Sequence, residues 1–239
     1  MSTDPISEKW PFEEWQERLG AVAHRAPYVF VDTPQKLIDD HFRELTRFEG
    51  YEESGIVRCE QELDVRFPAA YRDFLLCMGK ASGDLLCGSD QAGLEDLEDF
   101  RKQALELIEE SGSTFLLPDD AVVWLFHQGY QFTYFRCNAP RDTPQMLWSE
   151  GEDEPMELAA SFIEFVEARL EALEAGHRHM HERGGYYLTL YADGGGKQHY
   201  PALDSGDRPL DHWPGGTARP PRPSLFQRLR QAVSQLGRR

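Results

Sequence analysis

The change of hydrophobic periodicity along the chain constrains its fold more than any other feature. Up to about residue 110, apolar residues recur at helical spacing, as in the stripe through Leu37, Phe42 and Leu45. Residues 122–126 then form a continuous apolar run, and a Gln128-Gly129 turn returns the chain into a second strand pattern. Because helices and strands are segregated rather than alternating, the sequence predicts an α+β fold, with helices packed on a meandering, mostly antiparallel sheet.

Capping residues predict where several helices begin and end. Thr33 is expected to cap the second helix, and Gly50 to end it. Ser161 and Glu164 match the S-x-x-E capping box at the start of a helix after the strands. Gly176 is expected to end that helix.

The expected starts and ends of helices and strands divide the chain into four parts. We expect an N-terminal helical extension over residues 1–30 and the main domain over 31–176. A His-rich segment and a β-hairpin appendage follow over 177–208, with the hairpin formed by residues 186–192 and 198–203. Residues 209–239 form a Pro-rich linker and a basic amphipathic tail.

Charge is distributed unevenly along the chain. The net charge is −17, and the segment from His212 to Arg239 holds six arginines and no acid, so residues 1–211 carry −23. A body of this charge has no broad basic surface for phosphates, so nucleic acid is not expected as a partner. It would attract a basic protein, although acidic residues also serve simply to keep a protein in solution.

The basic tail has three interpretations. Its arginines could contact anionic lipid, it could fold back onto the acidic body, or it could be a mostly disordered segment. The charge of −23 on residues 1–211 opposes approach to an anionic membrane, which favours the last two.

Neither a membrane location nor a thiol-bound metal is expected. The apolar runs are short compared with the ~20 residues that cross a bilayer, and the N-terminus lacks the pattern of a secretory signal. A cytoplasmic protein is therefore predicted. The four cysteines include no CxxC pair, which argues against a zinc site of thiolates.

An ordered set of short motifs resembles the SMI1/KNR4 (SUKH) family. A helix bearing a Glu and a Leu precedes an "lP..Y..FL" motif and a glycine, which here are Glu60, Leu63, Phe67, Pro68, Tyr71, Phe74, Leu75 and Gly79. Further matching segments are 117–121, 129–132, 147–151 and 161–166. The family often has Asn-Gly-Gly after the second helix, whereas this chain has Gly79-Lys80-Ala81-Ser82-Gly83, so the shape of that loop is expected to differ.

The resemblance covers roughly residues 35–175 and implies one α+β domain with no catalytic residues and no cofactor. Bacterial relatives are largely immunity proteins that neutralise polymorphic toxins, often nucleases or deaminases. Fungal relatives are regulatory or scaffold proteins. The resemblance therefore implies a binding protein and not an enzyme.

The histidines of the tract His177-Arg178-His179-Met180-His181 are the main competing feature. If the segment is extended, all three histidines can share a metal ion, whereas on a helix only His177 and His181 lie on one face. Because it follows the expected helix end at Gly176, a solvated surface tract is the favoured interpretation. No metal site is predicted.

Two acidic segments are the candidate partner-binding surface, and each fits a solvated face equally well when taken alone. The candidate residues are Glu95, Asp96, Glu98, Asp99, Glu150, Glu152, Asp153, Glu154 and Glu157. A nuclease needs a basic cleft to hold phosphates, and an acidic inhibitor can occupy such a cleft. We therefore predict an immunity protein that occludes the active site of a cognate basic toxin. The alternative is a regulatory or scaffold module without a toxin partner.

Overall fold

The computed structural model describes residues 10–24, 28–182, 185–191 and 196–199. The chain divides into two compact units, one formed by residues 1–26 and 34–179 and the other by residues 27–33 and 180–239. The Pro-rich linker and the basic tail lie outside the described residues. The four-part division of the chain stays a prediction.

The described residues form helices and mostly short strands. The helices are α1 (Phe12–His24), α2 (Gln35–Leu45), α3 (Glu53–Glu62), α4 (Ala69–Met78), α5 (Leu97–Ser111) and α6 (Phe162–Glu182), with a short 3-10 helix at Leu94–Asp96. The strands are β1 (Tyr28–Phe30), β2 (Phe48–Glu49), β3 (Ala81–Ser82), β4 (Asp90–Gln91), β5 (Ala121–His127), β6 (Gln131–Arg136), β7 (Gln145–Ser149), β8 (Met156–Ala159), β9 (Tyr186–Leu190) and β10 (Gly196–His199).

The first unit is organised by a five-stranded sheet in the order β4-β5-β6-β7-β8, with antiparallel neighbours throughout. The turn between β5 and β6 forms as the sequence predicts. Gln128 and Gly129 have φ values of 52° and 76°, in the left-handed region that favours glycine. The predicted α+β class and the meandering antiparallel sheet are confirmed.

The larger core lies on one face of this sheet. Tyr71 and Phe74 of α4 meet Trp124 of β5 and Phe162 of α6, with ring centroids 5.2–6.2 Å apart. Trp15 of α1 joins the same core and is fully buried. The "lP..Y..FL" motif thus contributes core residues, because its aromatic side chains pack α4 against the sheet.

The opposite face of the sheet is covered by α5. Ala104 and Ile108 of α5 pack with Val123, Phe132 and Trp148 in a second buried cluster. Val123 and Trp124 of β5 enter different clusters, because successive strand side chains point to opposite faces.

The predicted capping box at α6 forms in part, because the Glu164 carboxylate reaches the residue before the N-cap Ser161, and a distant residue contributes as well. Ser161 Oγ accepts the Glu164 N–H at 3.0 Å, and the Glu164 carboxylate accepts the Ala160 N–H at 3.2 Å. The carboxylate of Asp142 accepts the N–H groups of Phe162 at 2.8 Å and Ile163 at 3.4 Å. Side chains therefore satisfy the first three N–H groups of α6.

Three of the predicted helix boundaries are wrong. Thr33 Oγ donates to the Val31 carbonyl at 2.9 Å instead of capping α2, whose N-cap is Pro34. The chain leaves α2 at Leu45 and enters β2, so Gly50 ends no helix. Gly176 lies inside α6, because residues 177–182 include no proline and a glycine permits a helix end without requiring one.

The second unit contains a small mixed sheet in the order β1-β9-β10. The expected hairpin of residues 186–192 and 198–203 is present as the antiparallel pair β9 and β10, although β10 begins at Gly196. Residues 200–203 lie outside the described residues. The parallel pairing of β1 with β9 was not predicted, because β1 is only three residues long.

Candidate protein-docking surface

The first acidic segment lies at the start of α5. Glu95 and Asp96 belong to the short 3-10 helix, Glu98 and Asp99 to the first turn of α5, and all four side chains are exposed. Acidic residues suit this position because the N-terminus of a helix carries partial positive charge. Glu95 also accepts the hydroxyl of Tyr51 at 3.2 Å.

The second acidic segment forms the connection between β7 and β8. Glu150, Glu152, Asp153 and Glu154 lie in this loop and Glu157 lies in β8, and all five side chains are exposed. A hydrogen bond from strand β7 holds the loop in place, since the indole N–H of Trp148 donates to the Glu152 carbonyl at 2.9 Å.

Asp153 ties this loop to the segment that follows α5. Its Oδ1 accepts the N–H of Thr114 at 2.9 Å and the hydroxyl of Thr114 at 3.0 Å, and the Ser113 hydroxyl lies 3.5 Å away. The Thr114 N–H, the Thr114 hydroxyl and the Ser113 hydroxyl lower the pKa of Asp153, because they stabilise the ionised carboxylate. Asp153 is therefore a loop anchor as well as a surface charge.

The two predicted segments lie at opposite ends of α5. The acidic loop attaches beyond the C-terminal end of the helix, while Glu98 and Asp99 lie in its first turn. A helix of 15 residues spans about 22 Å. A small partner side chain cannot contact both segments, whereas a domain-sized partner can.

Further exposed acids on α5 connect the two ends. Glu106, Glu109 and Glu110 are exposed along the outer side of the helix. We call the whole set the acidic strip: Glu95, Asp96, Glu98, Asp99, Glu106, Glu109, Glu110, Glu150, Glu152, Asp153, Glu154 and Glu157.

The cations within these segments do little to neutralise the strip. Arg101 points toward the loop after α5, where its Nη1 donates to the carbonyls of Pro118 at 3.0 Å and Ala121 at 2.9 Å. Lys102 pairs loosely with Glu106 at 3.9 Å. The strip therefore presents a strongly negative field to solvent.

A cleft of about 470 Å³ lies elsewhere in the first unit, lined by parts of α3 and by residues flanking the β5–β6 hairpin. Three carboxylates line it, those of Glu60, Asp64 and Asp120, and the first and last are held by cations. Glu60 accepts the Phe67 N–H at 2.9 Å and pairs with Arg72, and Asp120 accepts the Arg136 Nε at 2.8 Å.

The histidine tract lies on α6 and does not form the solvated linker that the sequence predicts. His177 is largely buried, with Nε2 3.8 Å from Asp84 Oδ2, while His179 and His181 are exposed. Burial raises the pKa of Asp84 and lowers that of His41 nearby. Across the described ranges, no three His, Cys, Asp or Glu side chains are placed to hold a metal ion.

No helix among the described residues is both long enough and apolar enough to cross a bilayer.

The fold is an α+β domain, and one side of it carries this acidic strip. Residues 50–168 match the SMI1/KNR4 family (SUKH-1), so the chain is an SMI1/KNR4 domain protein, as its motifs suggested. The family is known for immunity-type proteins and is generally non-enzymatic, and membership implies protein–protein interaction. No curated protein matches the chain.

Proposed function

We propose that this protein is a cytoplasmic immunity protein that binds a cognate toxin and blocks its active site. The acidic strip is the observation that carries this proposal, because it gives a SUKH domain a surface complementary to a basic protein. The toxin would be a nuclease or deaminase domain with a basic cleft for nucleic acid.

The physical advantage of such a surface is fast capture. An acidic surface attracts a basic cleft over several ångströms and raises the association rate by about 10- to 1000-fold at low ionic strength. An immunity protein benefits from this speed, because its toxin must be inhibited before it acts. Salt should slow the association, since the Debye length falls to about 8 Å at physiological ionic strength.

The test measures association kinetics between the purified protein and the C-terminal domain encoded by the reading frame next to its gene. We expect the association rate constant to fall roughly tenfold or more between low and physiological salt. Replacing four exposed glutamates of the second acidic segment with glutamine, namely Glu150, Glu152 and Glu154 of the loop and Glu157 of β8, should reduce both the rate and its salt dependence. Asp153 is left intact, because it holds the loop in place.

A matched control removes the same number of exposed carboxylates elsewhere. Glu14, Glu17, Glu62 and Glu171 are exposed on α1, α3 and α6. If the control lowers the association rate as much as the loop variant does, net charge matters and the strip is not the interface. If the wild-type protein does not bind the domain at all, the toxin-binding proposal is wrong, and a regulatory or scaffold role becomes the better account.

A further inference from the structure

The loop between α5 and β5 presents an apolar side chain beside the acidic strip. Leu116 is 85% exposed, the highest value among the large hydrophobic residues that the structure describes. Its neighbours point inward, since Leu117 is buried and the ring of Phe115 stacks on Trp148 with centroids 6.3 Å apart. The residues on both sides of Leu116 therefore pack into the core, while the Leu116 side chain is exposed to solvent.

This loop is fixed on both sides of Leu116. Before it, the N–H and hydroxyl of Thr114 donate to Asp153, and the Phe115 N–H donates to the Ser113 hydroxyl at 3.1 Å. After it, Arg101 binds the carbonyl of Pro118 at 3.0 Å. A side chain presented by a rigid loop loses little entropy on binding, which suits an interface anchor.

A second exposed apolar residue lies on the same flank of α5. The Ser113 N–H donates to the Ile108 carbonyl, and Arg101 reaches Pro118, so residues 113–118 run back along the helix. Leu105 is one helical turn from Arg101 and shares its side of α5. Leu105 is 44% exposed. This flank of α5 and the segment beside it therefore present two exposed leucines, Leu105 and Leu116, to a partner.

Acidic residues border this apolar site, and sheet register shows which of them share its face. Glu157 pairs with Met146, which packs in the cluster beneath α5. Met156 pairs instead with Leu147, and neighbouring residues of a strand point to opposite faces. Glu157 and Asp153 thus lie on the side of Leu116, whereas the exposed Met156 lies on the other face of the sheet.

We propose that Leu116, supported by Leu105, is the apolar anchor of the docking surface and inserts into an apolar recess next to the basic cleft of the toxin. This inference rests on the proposed function and specifies the partner further. Charge attracts the partner and sets the association rate, while a buried anchor inside an acidic rim slows dissociation.

The test compares Leu116→Ser with Met156→Ser in binding to the same C-terminal domain. Leu116→Ser should weaken binding by roughly 10- to 100-fold through faster dissociation, with the salt dependence of association unchanged. Met156→Ser removes an exposed side chain from the other face and should change binding less than about twofold. Leu116→Met should retain most of the affinity, because the volume is similar.

Each alternative outcome has a distinct meaning. If the wild-type protein binds and Leu116→Ser binds equally well, the anchor is wrong and the proposed function stands. Equal losses of affinity for Leu116→Ser and Met156→Ser would also overturn the proposed role of Leu116 as the anchor. If the wild-type protein does not bind, both proposals fail. Sedimentation of the protein alone tests for a second copy as occupant, and a dimer that Leu116→Ser dissociates would overturn the toxin anchor.

Discussion

Replacing Asp142 should destabilise the protein through a helix that begins 20 residues later. Asp142→Ala removes the acceptor for the N–H groups of Phe162 and Ile163, which α6 itself cannot satisfy. Loss of a capping acceptor costs about 1 kcal/mol, and loss of a negative charge at a helix N-terminus adds about 0.3–1 kcal/mol. We therefore expect the free energy of unfolding to fall by about 1.3–2 kcal/mol.

Urea denaturation followed by tryptophan fluorescence provides the measurement. Asp142→Asn keeps an oxygen acceptor and loses only the charge, so its loss of unfolding free energy should be at most about half that of Asp142→Ala. Ser161→Ala removes a different hydrogen bond of the same helix end and should cost about 1 kcal/mol. Equal unfolding curves for wild type and Asp142→Ala would refute the capping role, as would equal losses for the Ala and Asn variants.

Three further predictions concern the core, the half-buried His41 and the thiols. Trp15→Ala should lower the free energy of unfolding by about 3–5 kcal/mol, because α1 is part of the main core; a loss below about 1 kcal/mol in urea denaturation would contradict this. Burial lowers the pKa of His41 below 6.5, so the unfolded state binds more protons and stability should fall as pH drops below 6.5. His41→Gln should reduce this pH dependence of the urea midpoint, and an unchanged dependence would contradict the assignment. Burial raises the pKa of Cys59 to about 11 and of Cys137 to about 12, so iodoacetamide at pH 8 should label them only after unfolding; rapid labelling of the native protein would contradict this.

Local pattern was sufficient to predict much of the fold. The β5–β6 hairpin was recognisable because an apolar run, a Gln128-Gly129 turn and a second β pattern agree with one another. The capping box of α6 was recognisable for the same reason, since Ser161 and Glu164 are three residues apart. Gly176 shows the limit of local rules, because a glycine inside a helix and a glycine after one look alike in sequence.

The arrangement of the candidate surface depends on contacts that sequence does not reveal. Asp153 meets Thr114 across 39 residues of chain, and this contact places the acidic loop at the end of α5. Leu116 was missed because it lies in the apolar run Phe115-Leu116-Leu117, where nothing in the sequence marks which side chain is exposed. Only the packing of Phe115 and Leu117 distinguishes the exposed leucine from its neighbours.

Helix α1 shows that the core extends beyond the family match, which covers residues 50–168. Trp15 lies in the main core, and its indole N–H donates to Glu167 of α6 at 2.6 Å. Arg18 strengthens the contact through a bidentate pair with Glu174 at 3.0 Å, which lowers the pKa of that carboxylate. Residues before the matched segment therefore contribute to the stability of the domain.

The most direct test of the account is survival on co-expression. The C-terminal domain encoded next to this gene is expressed in a sensitive cell, alone, with the wild-type protein, and with the variant in which Glu150, Glu152, Glu154 and Glu157 are glutamine. We expect the wild-type protein to restore growth and the variant to protect poorly at equal expression. Persistent toxicity in the presence of abundant, folded wild-type protein would contradict it.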